Sequence, residues 1–518
     1  MANKSVFGSL RGRLVSKFDT LNKQGAPAYS HDADHKLAQL AMSGTFGDIF
    51  YQSAETELAE MIKVADLVEP EFLAKTAIYA RENGHMKDMP AFMLAVLSSR
   101  DATLFSRVFP RIVTNGKMLR NFVQIMRSGQ TGRKSLGSRP KAMVASWLNT
   151  ASDRALLQAS VGNNPSLADV IKMVHPKPAS PQRDALFAWL IGKPCDVALL
   201  PGDVREYISF MKTGAGKLPD VPFQMLTHLQ LTTEHWSEIA LTASWQMVRM
   251  NLNTFLRHKV LEDKDVVAHV ASVLRDPERI ASANGFPYQL MTAYQALSDK
   301  MPNEVCEALH DAMELSVANV PKIEGKIVVC PDVSGSMNSP VTGYRKGATS
   351  VTRFVDVAGL VSAAFLRRNP TTMVLPFEYT VCGTRLEPRD TILTNARKLA
   401  DLGGGGTNCS APLELLIKTA KRADLIIYVS DNQSWADVSR GHGNTAMMQN
   451  WERFKIHNPK AKLVCIDIAP YGTTQVKSRD DILNIGGFSD AVFDQIANFA
   501  TDKMGPAQWV GEIEKMEL

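Results

Sequence analysis

Lys326-Ile-Val-Val-Cys-Pro-Asp-Val-Ser-Gly-Ser-Met337 decides how this chain is read. Ile327 to Cys330 form an apolar, β-branched run with the length of a buried parallel strand. Asp332, Ser334 and Ser336 follow on the turn that leaves it. Alternate residues of extended chain face the same way, so one carboxylate and two hydroxyls converge at the strand's carboxyl end. That is half of a divalent-cation site: Mg²⁺ wants oxygen ligands in octahedral geometry and keeps positions for water or an outside anion.

Two segments further along complete the set. Leu402-Gly-Gly-Gly-Gly-Thr-Asn-Cys-Ser410 is a glycine loop ahead of a helix-patterned stretch, and it offers Thr407 where the backbone can approach a ligand closely. Asp424-Leu-Ile-Ile-Tyr-Val-Ser-Asp431 is a second buried-strand pattern with Asp431 just past its end. Ligands outside the carboxyl ends of parallel strands are the expected arrangement in an open α/β sheet. The ordered trio resembles the von Willebrand factor A fold with its metal-ion-dependent adhesion site (MIDAS). The resemblance implies that Asp332, Ser334, Ser336, Thr407 and Asp431 hold Mg²⁺, or another divalent cation, directly or through water.

The rest of the chain has a different character. At 518 residues it exceeds one ordinary core, and an apolar fraction of 45% with 21% charged residues describes a globular protein. From about residue 30 to 320 the pattern is helical, as in 54–63, 71–82 and 91–97, with breaks at 82–90, 114–117 and 284–287. Successive amphipathic helices on short turns favour a degenerate helical-repeat, HEAT-like array. Past Lys326, strands at 372–377, 425–429 and 463–468 alternate with helices near 353–368, 410–422, 445–454 and 490–500, a doubly wound parallel pattern. The expected architecture is mainly α plus α/β, with domains at 1–322 and 323–518.

Six scattered cysteines without a C-x-x-C pair read as reduced core thiols. No apolar run of about 18 residues predicts a membrane span, and the first residues lack a secretory signal, so the expectation is a cytoplasmic protein with no membrane role.

The net charge of +5 is ordinary, but its placement is not. Residues 101–150 hold nine basic side chains, among them Lys117, Arg120, Arg127, Arg133, Lys134, Arg139 and Lys141, against one acid, Asp101. Such concentration suits a polyanion. The plainer alternative is a solvated face whose acids lie on neighbouring segments.

Helical repeats followed by a MIDAS-bearing A domain resemble the Ro autoantigen (TROVE) family over nearly the whole chain. The stretches that carry the resemblance include 166–178, Leu226-Thr-His-Leu229, Trp245-Gln-Met-Val-Arg-Met-Asn-Leu252, 281–288, 404–410 and Ser430-Asp-Asn-Gln433. It implies a ring that binds small noncoding Y-type RNA and single-stranded 3′ ends of misfolded RNA. In that reading Arg133, Lys134, Arg139 and Lys141 resemble a family basic loop and helix, and His175 matches its RNA-contacting histidine. His228 reads as structural. This chain has Ser135-Leu-Gly-Ser-Arg-Pro-Lys141 where many relatives carry an aromatic. A bacterial-type relative implies action with an exoribonuclease such as polynucleotide phosphorylase.

Catalysis is not expected. Asp332 lacks a second acid two residues on, Gly-x-Ser-x-Gly is absent around Ser334, and the glycine loop lacks the P-loop lysine. The sequence therefore predicts a monomeric, noncatalytic RNA-binding protein of RNA quality control. A second reading is an RNA-free protein-interaction scaffold whose MIDAS captures a partner's acidic side chain.

Overall fold

A computed structural model describes residues 17–518, apart from 215, 228, 284, 286, 318–319, 345–351, 436–443, 490 and 506. His228 and the first residue of the helix expected from 490 lie outside the described residues. The chain divides into two compact units, each taken by itself below.

The first unit gathers residues 1–64, 285–296 and 310–515. Its strands, in chain order, are β1 (Thr20–Leu21), β2 (Pro27–Ser30), β3 (Ile327–Pro331), β4 (Met373–Val374), β5 (Leu425–Ser430), β6 (Lys462–Asp467), β7 (Thr473–Thr474) and β8 (Ile482–Gly486). Five of them form a parallel sheet in the order β4-β3-β5-β6-β8. Its central strands are buried throughout, which is why β3 and β5 read as continuous apolar runs.

The helix Phe354–Arg368 covers one face against β3, β4 and β5. On the opposite face Ala411–Lys418 and Ala446–His457 pack together. They bring Leu413, Leu416, Met447, Trp451 and Phe454 to a core shared with Cys330, Ile426, Tyr428 and Cys465. Burying one such side chain contributes roughly 1.5–3 kcal/mol relative to leaving it in water.

The strand expected over 372–377 pairs as a ladder only at Met373–Val374. Leu375 and Phe377 still donate to the carbonyls of Val329 and Pro331, but Pro376 has no N–H, which suits the edge of a sheet. The helix expected to reach 422 ends at Lys418, and Ala420 has a positive φ of 51°.

The expected division at residue 322 marks where the pattern changes, but packing does not follow it. β2 pairs antiparallel with β7, Tyr29 opposite Thr474, and Tyr29 is fully buried in the sheet's core. The helix Ala33–Ser43 lies against β8, where Gln39 Nε2 donates to the Asp467 carbonyl at 3.2 Å. Residues 17–64 therefore belong with the parallel sheet, because their apolar face is covered there.

The second unit comprises residues 65–284, 297–309 and 516–518. Its helices pack on chain neighbours: Pro70–Glu82 on Asp88–Arg100, and the latter on Ala102–Ile112 and Gly116–Ser128. Asp101 and Asn115 cap two of these helices by accepting from backbone N–H groups. Phe105, Phe109 and Phe122 form an aromatic trio between two of them, with centroids 5.5–5.9 Å apart. No helix among the described residues is long and apolar enough to cross a membrane.

Candidate functional site

The order of the parallel sheet makes the first site. The chain leaves β3 for β4 on one side and returns to β5 on the other, so the connections after β3 and β5 diverge and leave a crevice at their carboxyl ends. The register sets Pro331 opposite Val429, and Asp332 N–H donates to the Val429 carbonyl at 2.9 Å. Asp332 and Asp431 are thereby delivered to one place.

The hydroxyls predicted from sequence converge there too. Thr407 Oγ1 donates to Ser334 Oγ at 2.8 Å, and Ser334 Oγ and Ser336 Oγ are 3.3 Å apart. The glycine loop permits this approach: a Cβ on Gly335 would lie 2.9 Å from the Gly404 carbonyl oxygen, and one on Gly406 would lie 2.2 Å from the Trp435 indole nitrogen.

Two contributors, and one neighbour that stays outside the cluster, were missed by the sequence reading. Ser430 Oγ donates to Asp332 Oδ2 at 2.6 Å. Glu378 Oε2 accepts from the Gly405 N–H at 2.8 Å and steadies the loop. Asp467 ends β6 as Asp431 follows β5, so the same strand-end signal pointed to it. It is not a third member of the cluster, because among the described residues no three His, Cys, Asp or Glu side chains gather where a metal could be held.

The electrostatics mark the site as cation-seeking. All five residues are buried, from 0% exposure for Asp332 and Ser334 to 4% for Ser336. Burial, then the charge of Asp332, pushes the Asp431 carboxyl up to about 7, and burial also raises Asp332. Burial, with a smaller contribution from Asp431, raises Asp467 as well. Asp431 Oδ2 is buried without a hydrogen-bond partner, although its other oxygen accepts from Gln433 N–H at 3.2 Å. Two buried carboxylates, three hydroxyls and an orphaned oxygen are a donor set that fits a hard dication.

The basic residues form a contrasting surface in the second unit. Lys117, Arg120 and Arg127 ride on the helix Gly116–Ser128, Arg133 and Lys134 on the following loop, and Arg139 and Lys141 on the helix Ser138–Thr150. His175 caps the helix Leu167–Val174 in a left-handed conformation and is exposed. That helix packs against Ser138–Thr150, and Asn149 Nδ2 ties the next segment by donating to the Lys177 carbonyl at 3.0 Å.

None of these eight side chains forms an ion pair among the described residues, whereas Arg111 nearby is bound to Glu82 at 2.7 Å. Asp169 feels the charge of Arg127, but no acid comes within ion-pairing distance of the set among the described residues, so the reading as a self-neutralised face gains little support. The set is also divided. Lys117 and Arg120 line a hollow of about 1020 Å³ with Arg154 and Lys217, which the sequence reading missed, while the other six residues do not line it. Arg154 comes from the helix Asp153–Ser160 and Lys217 from the connection after the helix Gly202–Thr213, so no local run announced them.

The cysteine expectation holds in part: Cys330, Cys409 and Cys465 are buried free thiols, while Cys195, Cys306 and Cys382 are only half-buried.

Comparison with known proteins agrees with this frame. Residues 326–500 match the family described as the Ro60 vWA domain. The chain is 23% identical over 516 residues to the RNA-binding protein RO60 of Deinococcus radiodurans, covering 92% of this chain and 94% of that one. It is 26% identical over 259 residues to the RNA-binding protein RO60 of Caenorhabditis elegans, covering 47% of this chain and 38% of that one. In fold it is similar to the crystal structure of the Deinococcus radiodurans RO (RSR) protein, with a TM-score of 0.63 and 19% identity, over 91% of this chain and all of that one. The Ro60-type A domain, the near full-length relative and the shared helix-rich fold with its parallel sheet together support a bacterial-type Ro family protein.

Proposed function

We propose that the protein binds RNA through the cationic face of its helical unit. It forms a ribonucleoprotein with small noncoding Y-type RNA and takes up single-stranded 3′ ends of misfolded RNA, in RNA quality control or degradation and without catalysing a reaction itself. The observation that carries this reading is the set of seven basic side chains and His175 that no acid pairs with among the described residues, in a unit whose other cations include ion-paired ones. Guanidinium and ammonium groups of this kind neutralise phosphates without reading sequence. An exposed imidazole such as His175 can stack on an unpaired base.

The test is binding of a structured RNA with a single-stranded 3′ tail across a salt series. The logarithm of affinity should fall linearly with the logarithm of salt concentration, with a slope of about −0.7 per phosphate neutralised on a single strand. No binding, or binding indifferent to salt, would remove the RNA reading and leave the protein scaffold. The family resemblance extends the proposal to the cytoplasm and to an exoribonuclease such as polynucleotide phosphorylase, tethered through the Y RNA. Co-purification that survives ribonuclease treatment would argue against that tether.

The proposal for the first unit is that Asp332, Ser334, Ser336, Thr407 and Asp431 hold Mg²⁺ or another divalent cation. A bound dication would let Asp332 and Asp431 stay ionised side by side. The chain's own part is to hold them in place: Ser430 orients Asp332, Thr407 orients Ser334, and Glu378 pins the glycine loop.

A further inference from the structure

The five candidate ligands lie under protein rather than under water, none more than 4% exposed. Their cover comes from the amino-terminal part of the same unit. Asn22 Nδ2 donates to the Ser434 carbonyl at 2.5 Å, and the Lys23 N–H donates to Gln433 Oε1 at 2.8 Å, which fixes residues 22–24 over the loop that follows Asp431. Gln24 Nε2 then donates to the Tyr51 hydroxyl. The Tyr51 N–H donates to the Tyr471 hydroxyl at 3.3 Å, and the two rings stand edge to face with centroids 5.5 Å apart. The Tyr51 hydroxyl is so held within hydrogen-bonding reach of Ser336 and in the field of Asp431 and Asp332.

Tyr51 is half-buried whereas the five ligands are buried, so a partner's carboxylate approaching from its side meets the phenol first. The charges point the same way. Asp332 and Asp431 already supply the two negative charges that balance a dication, so a neutral oxygen can join them in a buried setting at less cost than a third carboxylate. Building on the cation reading above, we propose that Tyr51 is a further residue of the site. Its phenol oxygen takes the outward-facing position, so the site is closed in cis and refuses an acidic ligand while residues 22–52 stay in place.

The test uses the full-length protein with Mn²⁺ as the probe ion and acetate as the probe carboxylate, read by titration calorimetry and water-proton relaxation. Tyr51→Phe keeps the ring against Tyr471 and removes only the oxygen. Wild type should bind Mn²⁺ with a relaxation that acetate does not change. The variant should bind at least about tenfold more weakly, gain the relaxation of one additional bound water, and lose that gain on adding acetate. Equal affinity and relaxation in the two proteins would overturn the role of Tyr51 and leave the cation site standing. A wild type that responds to acetate would overturn the closure. A wild type that binds no Mn²⁺ would overturn both readings. Should Tyr51→Phe melt early without metal, Gln24→Ala frees the phenol from its orienting donor and should shift the same two readouts in the same direction, and no shift there would overturn the assignment.

Discussion

The buried oxygen cluster at the ends of β3 and β5 and the basic face of the helical unit are opposites in every physical respect. In the first, carboxyl groups are enclosed, hydrogen-bonded to neighbouring hydroxyl and N–H groups and pushed toward their neutral forms; in the second, the side chains are exposed apart from half-buried Arg120, form no ion pair among the described residues and are spread over two helices, a loop and a helix end. The difference teaches what each kind of ligand asks for. A small dication rewards oxygens brought within a few ångströms in a low-dielectric pocket, whereas a polyanion rewards many separated charges that have nothing else to neutralise.

The contrast breaks first at Asp431. Its folded value of about 7 lies above the ordinary 3.8, so the fold favours its protonated form, and that stability is present in acid and lost as pH rises from about 4 through 7. Asp431→Asn should therefore stabilise the metal-free protein at pH 8 by an amount on the order of 4 kcal/mol, seen as a higher melting temperature, while abolishing the stabilisation that Mg²⁺ gives wild type. Thermal melts with and without Mg²⁺ check both signs, and a variant less stable without metal would mean the carboxylate is not under strain.

The basic face should behave in the opposite manner. Replacing Arg133, Lys134, Arg139 and Lys141 by Gln should leave stability within about 0.5 kcal/mol yet weaken RNA binding by about 10²-fold near 0.15 M salt and flatten the salt slope by about 3. The same measurement with Lys117 and Arg120 replaced tells which of the two basic regions carries the strand. Equal affinity in both variants and wild type would detach the basic face from RNA.

A third comparison sets buried against exposed histidine. His35 stacks on His31 at 4.1 Å, meets Trp509 edge-on, and is pushed down to about 4 by burial. Its folded value lies below the unfolded one of about 6.5, so its contribution is intact above pH 6.5 and fades as pH falls toward 4. The His35 contribution should fall by about 2 kcal/mol between pH 8 and pH 5, read as the difference in pH slope between wild type and His35→Gln; identical slopes would assign the acid sensitivity elsewhere. The smallest effect is expected at Ser430→Ala, which removes the donor to Asp332 and should weaken divalent-cation affinity by about tenfold with RNA binding untouched.

Legibility in the sequence tracked locality. Asp332, Ser334, Ser336, Thr407 and Asp431 could be named because a short apolar strand followed by alternating oxygens, or by a glycine loop, is written within a dozen residues. Ser430 and Glu378 could not, since their roles depend on which strands become neighbours. β8 escaped notice because Ile482-Leu-Asn-Ile-Gly486 is interrupted by an asparagine whose partners, Thr474 and Ser478, only the fold supplies. The division at 322 followed the change of pattern faithfully, but β2 is four residues long and meets β7, two residues long, from the far end of the chain, and so short a pairing leaves no periodic trace. The basic stretch was visible as composition; its split into a hollow and an outlying set was not, because Arg154 and Lys217 arrive from another helix and another loop.

The union of β2 with β7 and of Ala33–Ser43 with β8 also sets an order of events during synthesis. Residues 17–64 leave the ribosome well before their partners at 462–486, which emerge only after the helices of the second unit have been made. Contacts so remote along the chain close slowly, and until they do, apolar positions such as Tyr29 and Leu40 stay uncovered. A nascent chain of this protein thus carries uncovered apolar surface over most of its translation. A piece beginning at residue 323 would emerge with the open edge of β7 and the bare flank of β8 as surfaces prone to aggregate.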